Sequence, residues 1–148
     1  MDQRAIEVFI ESLSHFYKQI GVDEVEIGVP YLLDSKEPVV SDFTGIIGVS
    51  GKNKGCVYYT CPQALLSYIL LTMGESEVTN EHLCDVAGEI ANTIAGNARK
   101  AFGSEFLISV PVVVQGSPER IRLPENTRCV VIPTRWKVYQ SIIVVALQ

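Results

Sequence analysis

No stretch of this 148-residue chain approaches the ~20 consecutive apolar residues that a membrane span needs. Its opening, Met1-Asp2-Gln3-Arg4, lacks the basic-then-apolar layout of a secretory signal. The expectation is a cytoplasmic protein with no membrane partner. Positive charge is scarce: 12 Lys and Arg stand against 17 Asp and Glu, for a net charge of −5. Lys52 and Lys54 fall in a Gly-rich turn and Arg99-Lys100 near a helix end, so no basic footprint for nucleic acid forms. Histidine is limited to His15 and His82, far apart in sequence. The four cysteines, Cys56, Cys61, Cys84 and Cys129, include no CxxC pair. They read as buried or half-buried thiols in a reducing compartment rather than as a zinc site, while a disulfide between two of them stays open at this level. No Ser/His/Asp or Cys/His set has a spacing that supports a nucleophile. The glycine run from Gly48 to Gly55 lacks the G-x-x-x-x-G-K-[ST] spacing of a phosphate loop.

What remains is an ordinary globular balance, 47% hydrophobic and 20% charged, with enough length for one core. The spacing predicts a first amphipathic helix over residues 3–20, built on Ile6, Phe9, Ile10, Leu13, Phe16, Tyr17 and Ile20 and stopped by Gly21. Strands are expected near residues 26–33 and 39–49, separated by a turn at 34–38. The glycine run then makes a hairpin into a strand at 56–60. Cys61-Pro62 opens a second helix that buries Leu65, Leu66, Ile69, Leu70 and Met73 and ends at Gly74. Thr79 or Asn80 caps a long third helix running to about Phe102 and closed by Gly103. A strand at 106–114 contains Pro111, which marks an edge or a bulge. A final antiparallel pair covers 128–136 and 138–147, and its apolar run Ile142–Leu147 reads as a strand covered on both faces. The expected fold is a single α+β domain over residues 1–148. It has an antiparallel-rich sheet of about six strands packed with three helices.

The long helix carries Asp85, Glu89 and Asn92 at offsets of four and seven residues. They return to one face within roughly 60°, and Gly96 continues the stripe and keeps it open. The opposite side is apolar and small: Val86, Ala87, Ile90, Ala91, Ile94, Ala95, Ala98 and Phe102. Spacing alone carries little, since Glu77-x-x-Asn80 repeats it in a loop and cap. The residue types say more. Asn does not titrate, so its amide can only orient a group by hydrogen bonds, placing a water or holding an oxyanion. That help counts where the electrophile is already reactive and a metal is already present, as in an acyl phosphate on another protein.

On these residues the chain resembles the CheC/CheX/FliY family of chemotaxis phosphatases, and its CheX members above all. The family motif [D/S]-x3-E-x2-N stands complete as Asp85-x3-Glu89-x2-Asn92, followed by Ala95-Gly96-Asn97-Ala98. Gly45-Ile46-Ile47-Gly48-Val49-Ser50-Gly51, Gly55 and the helix ending in Met73-Gly74 are similar to the family's hairpin and helix. Ile108 to Gly116, with Pro111-Val112-Val113-Val114, is similar to the strand after the motif helix. The resemblance spans about residues 45–147. CheC-type members carry two motifs and often a glycine before the Asn. Here there is one motif, and Ala91 stands at that glycine position.

The resemblance implies dephosphorylation of the aspartyl phosphate of a CheY-like response regulator, which brings its own Mg²⁺; the chain needs no metal or cofactor of its own. Asn92 would orient the attacking water and Glu89 would pair with a lysine in the regulator's active site, with Asp85 and Gly96 in support. It also implies a homodimer, for which the apolar C-terminal strands would offer an intersubunit sheet or packed interface. Two other readings use the same face. One is a module that docks a response regulator without hydrolysis. The other is a hot-dog-type thioester hydrolase, which would need Glu89 to face a buried cleft at a dimer interface and which the element order fits poorly.

Overall fold

Phe9, Leu13, Phe16 and Tyr17 recur at three- and four-residue steps and become the buried face of α1 (Gln3–Gln19). The computed structural model describes residues 3–22, 25–33, 39–116, 121, 123 and 127–148; the turn expected at 34–38 lies outside them. Two further helices follow, α2 (Gln63–Thr72) and α3 (Asn80–Phe102). Pro62 occupies the N-cap of α2 rather than its first turn. The exposed Gln63 N–H at that end donates to the Asp42 carboxylate at 2.9 Å.

The strands form one antiparallel sheet of eight, two more than expected, because two expected strands are each divided. They are β1 (Glu26–Ile27), β2 (Tyr31–Leu33), β3 (Phe43–Gly51), β4 (Gly55–Cys61), β5 (Phe106–Ile108), β6 (Val112–Gln115), β7 (Cys129–Trp136) and β8 (Tyr139–Leu147). The order is β1-β7-β8-β4-β3-β5, with β2 also on β7 and β6 also on β3. Each division has a physical cause. Gly28 sits opposite Pro133, whose carbonyl takes the Gly28 N–H at 2.8 Å but which has no N–H to return. Between β5 and β6 the pairing steps from Val49↔Ile108 to Ile46↔Val112, so three residues, Ser109 to Pro111, face two. This is a bulge. Ser109 stitches it: its N–H donates to the Gly48 carbonyl at 2.9 Å, and its hydroxyl accepts the Gly48 N–H at 2.8 Å.

β8 lies between β7 and β4, so both of its edges are paired. An intersubunit sheet through the C-terminal strand, as the sequence suggested, is therefore closed off. Among the described residues the free edges belong to the two divided pairs, β1/β2 and β5/β6. The apolar run does become a strand covered on both faces. Ile143 and Val145 enter the main core beneath the helices, while Val144 and Ala146 pack with Cys56, Tyr58, Cys129 and Val131 on the other side.

Helix α3 approaches β3 closely. Ala87, Ala91 and Ala95 are buried on the line that meets the strand, and Ile47 packs against the last two. A methyl group on Gly45 would lie 2.6 Å from the Ala87 carbonyl oxygen and 2.9 Å from the Ala91 Cβ. Only hydrogen fits there. Leu83, Val86, Ile90, Ile94 and Ala98 turn toward α1 and α2 in the same core. Gly45→Ala should therefore push α3 off the sheet and cost about 1–3 kcal/mol of stability. Gly96→Ala, where an added methyl would touch nothing within 4 Å, should be neutral or gain up to ~1 kcal/mol from helix propensity. Urea unfolding of both variants checks this; equal midpoints would show that the close approach does not hold the helix.

All four cysteines are free. Burial, with the neighbouring Cys129 adding to it, pushes the Cys56 thiol up to about 11 from an ordinary 9.0. Burial also raises Cys61, with a contribution from Asp42. Tyr17, whose hydroxyl meets that of Tyr59 at 3.1 Å, is pushed by burial to about 12 from 10.0. These groups hold their protons longer folded than unfolded. Stability is thus fully present below about pH 9 and is lost as pH rises toward the folded values. Urea midpoints should fall steadily above about pH 9, and a midpoint flat to about pH 11 would contradict it.

Candidate functional site: the outer crest of α3

The site begins with how α3 starts and stops. The Thr79 hydroxyl accepts the His82 N–H at 3.1 Å, so threonine is the cap and Asn80 the first helical residue. Asn80 has another task. Its side-chain amide and that of Gln115, at the end of β6, are hydrogen-bonded to each other in both directions. The imidazole Nδ1 of His82 lies 3.0 Å from the Glu77 carbonyl. At the far end Gly103, at φ 100°, donates to the Arg99 carbonyl at 2.9 Å. The helix is thus fixed at its start to the sheet and at its middle by Gly45.

That fixing sets its rotation. Asp85, Glu89 and Asn92 lie roughly 140–200° around the helix from Ala87, the residue pressed against β3. All three are exposed. The structure therefore brings together the three residues that the sequence put on one face, and it turns them to solvent. Gly96 continues the line, half-buried, with open space around its α-carbon. Ala91 belongs to the other side: it is 3% exposed and faces Gly45. An alanine there bears on helix–sheet packing, and a partner on the crest cannot touch it.

Sequence reasoning passed over the ground beside the crest. On the β6 side is a depression of about 270 Å³, where Cys84, Gly88, Pro111 and Val113 meet Asp85, Glu89 and Asn92. Gly88 permits it: a methyl there would sit 3.3 Å from Val113 and 3.7 Å from Pro111. The sterically significant glycine of the motif helix is therefore Gly88 rather than Gly96. On the α2 side a second depression, about 280 Å³, is lined by Phe16, Leu70, Met73, Glu75, His82, Asp85, Val86 and Glu89. Pro111 had signalled a bulge in the sequence, but nothing there announced that the bulge would rest on the helix.

The carboxylates and the amide stand on an open crest, and the nearby His82, which shares the α2-side depression with Asp85 and Glu89, is held at its Nδ1 by the Glu77 carbonyl, so no closed cleft for proton transfer forms. Glu89 is exposed on the single chain, so the fold supplies no buried cleft of its own for the hot-dog hydrolase reading. Among the described residues no three His, Cys, Asp or Glu side chains are grouped to hold a metal. No helix of the described residues is long and apolar enough to cross a membrane. A cavity of about 450 Å³ lies at the opposite end between the start of α1 and the end of α3. It is lined by Arg4, Phe9, Asn53, Phe102 and their neighbours, and among the described residues its lining side chains include no carboxylate, histidine or thiol. An exposed amide and two exposed carboxylates can act only on groups that another molecule brings, by hydrogen bonds and charge pairing.

Solved structures share this architecture along its whole length. A CheC-like chemotactic protein from Shewanella oneidensis is 28% identical, with each chain covered over 100% and a TM-score of 0.83. The chemotaxis protein CheX from Vibrio vulnificus is 26% identical over 98% of this chain and 99% of its own, with a TM-score of 0.84. A structure of the CheX–CheY–BeF₃–Mg²⁺ complex from Borrelia burgdorferi matches at 19% identity and a TM-score of 0.78, over 97% of each chain. That likeness is one of fold. No curated protein is matched by sequence. The family described as chemotaxis phosphatase CheX matches residues 43–135, from the first residue of β3 through the motif helix into β7. With more than half of its length matched, including the whole polar crest, the chain belongs to the CheX family of chemotaxis phosphatases.

Proposed function

We propose that this chain hydrolyses the aspartyl phosphate of a CheY-like response regulator, with Asn92 as the residue that positions water and Glu89 as the residue that fixes docking. The single observation that carries the reading is the joint exposure of Asp85, Glu89 and Asn92 on one crest of α3. Family membership supplies the substrate class. The complex from Borrelia burgdorferi, in which a CheX is joined to CheY with BeF₃ and Mg²⁺, supports the choice of partner.

The step is an in-line displacement. The water oxygen attacks phosphorus, the bond from phosphorus to the aspartyl oxygen breaks, and the regulator's carboxylate departs. The water proton ends on inorganic phosphate or solvent. The Asn92 carboxamide offers an acceptor for the attacking water and a donor for a phosphoryl oxygen, so it can hold both in register. The regulator's Mg²⁺ would neutralise charge on the phosphoryl oxygens. Glu89, one turn earlier, would meet the lysine of the regulator's active site. That pair becomes desolvated only when the partner is seated, which makes it a check on identity and orientation. Asp85 begins the stripe and adds to its negative field. A regulator of this kind is a cytoplasmic protein, and we take this chain to work there, as a homodimer.

Phosphorylated regulator with Mg²⁺ should lose phosphate faster with the wild-type chain. Asn92→Ala should slow the step at saturating enzyme by ~10²–10³-fold while leaving affinity nearly intact. Glu89→Ala should mainly weaken binding, by about 2 kcal/mol or ~30-fold. Loss of phosphate as fast with Asn92→Ala as with wild type would sink the assignment. Tight binding without any acceleration would select a docking module instead.

A further inference from the structure

The crest is too small to hold a folded partner alone. From Asp85 to Asn92 the helix advances only about 10 Å. A specific protein pair covers about 800 Å² on each partner. Any regulator that brings its phosphate to Asn92 must therefore rest on ground beyond the stripe. That ground is furrowed on both sides, and each furrow sets apolar side chains beside the acidic residues of the ridge. Pro111, Val113 and Gly88 form one furrow, and Met73, Leu70 and Phe16 form the other. Asp85 and Glu89 line both, so they stand on the ridge between them. Large apolar side chains are left uncovered nearby. Met73, expected on the buried face of α2, instead caps that helix and is 52% exposed in the second furrow, and Val110, next in sequence to Pro111 of the first, is 79% exposed.

Resting on the function proposed above, we infer that the two furrows are the apolar part of the docking surface. They receive apolar side chains from the two rims of the regulator's phosphate recess, on either side of the lysine that meets Glu89. Met73 and Val110 thereby decide which regulator is accepted. The ridge supplies charge and chemistry, and the furrows supply area. The surface is continuous because the residues of the ridge are also walls of both furrows. A partner seated on one without the other would leave Glu89 wet and its ion pair weak. The acidic ridge and Glu75 beside it suit the regulator's lysine between those apolar rims and would repel a carboxylate placed there.

The test is a titration of CheY-type regulators from the same genome, loaded with beryllofluoride and Mg²⁺, into four proteins. These are wild type, Met73→Asp, Val110→Asp and Val138→Asp. Val138 is 83% exposed in the β7–β8 connection, away from the ridge, and serves as the control. All three substitutions fall at exposed positions, and circular dichroism is the check that each variant folds. Met73→Asp and Val110→Asp should each weaken binding by about tenfold or more. Their dephosphorylation rate at saturating enzyme should remain at the wild-type value, and Val138→Asp should match wild type in both. If either furrow variant keeps wild-type affinity, or if Val138→Asp loses as much, the docking assignment is overturned while the phosphatase reading stands. If wild type binds none of the regulators, the phosphatase reading falls and the furrows with it.

Discussion

The contact between Gly45 and the Ala87 and Ala91 turns of α3 governs the molecule. The helix can lie so near β3 because the strand offers a hydrogen where any other residue has a Cβ, and because the helix offers alanines in return. A helix seated at that distance has little freedom to roll, since rolling brings a longer side chain against the strand. Its orientation is therefore set by the smallest groups in the interface. The direction of Asp85, Glu89 and Asn92 follows from that orientation. The polar face points outward because the alanine face is pressed inward. Among the described residues, no hydrogen bond or ion pair is needed on the crest itself to hold those three side chains there.

The second constraint is the bulge at Ser109 to Pro111. A regular strand from Phe106 to Gln115 would have run evenly along β3. The extra residue shifts the register by one and brings Pro111 onto the helix beside Gly88. The sheet edge thus becomes one wall of the surface around the crest. The same bulge interrupts the edge itself, as Gly28 and Pro133 interrupt the other edge. Broken edges are poor templates for unplanned pairing with other strands. One local irregularity therefore serves both the shape of the site and the solubility of the fold.

Much of this was legible in the sequence because it rests on periodicity. Steps of three and four residues gave the three helices, and offsets of four and seven gave the stripe. The C-terminal apolar run gave a strand covered twice. What stayed hidden depends on contacts between distant residues. Gly45 reads as one more glycine in a strand until Ala87 is known to lie over it. Gly88 is indistinguishable from Gly96 by spacing, yet only Gly88 has neighbours that its missing side chain would meet. Pro133 divides a strand a hundred residues earlier in the chain, and no local signal near Gly28 carries that fact. The idea of an intersubunit sheet through the last strand failed for a like reason, since apolar content does not say whether a strand is central or at an edge.

The division between ridge and furrow has a consequence for how such a protein changes. The proposed chemistry asks for an amide and a carboxylate one turn apart on a rigid helix, and their placement is set from the inner face. The proposed docking area lies outside them, on Met73, Val110 and the bulge, where Met73 and Val110 are exposed. On that proposal, substitution at those rims alters which partner fits without moving Asn92 or Glu89, because neither Gly45 nor the alanine line is touched. Substitution on the inner face does the reverse: it rotates or lifts the crest and spoils any partner alike. On the proposed reading, a site with no cleft of its own keeps the water-positioning amide apart from most of the area that a partner covers, and it is completed only when that partner closes over it.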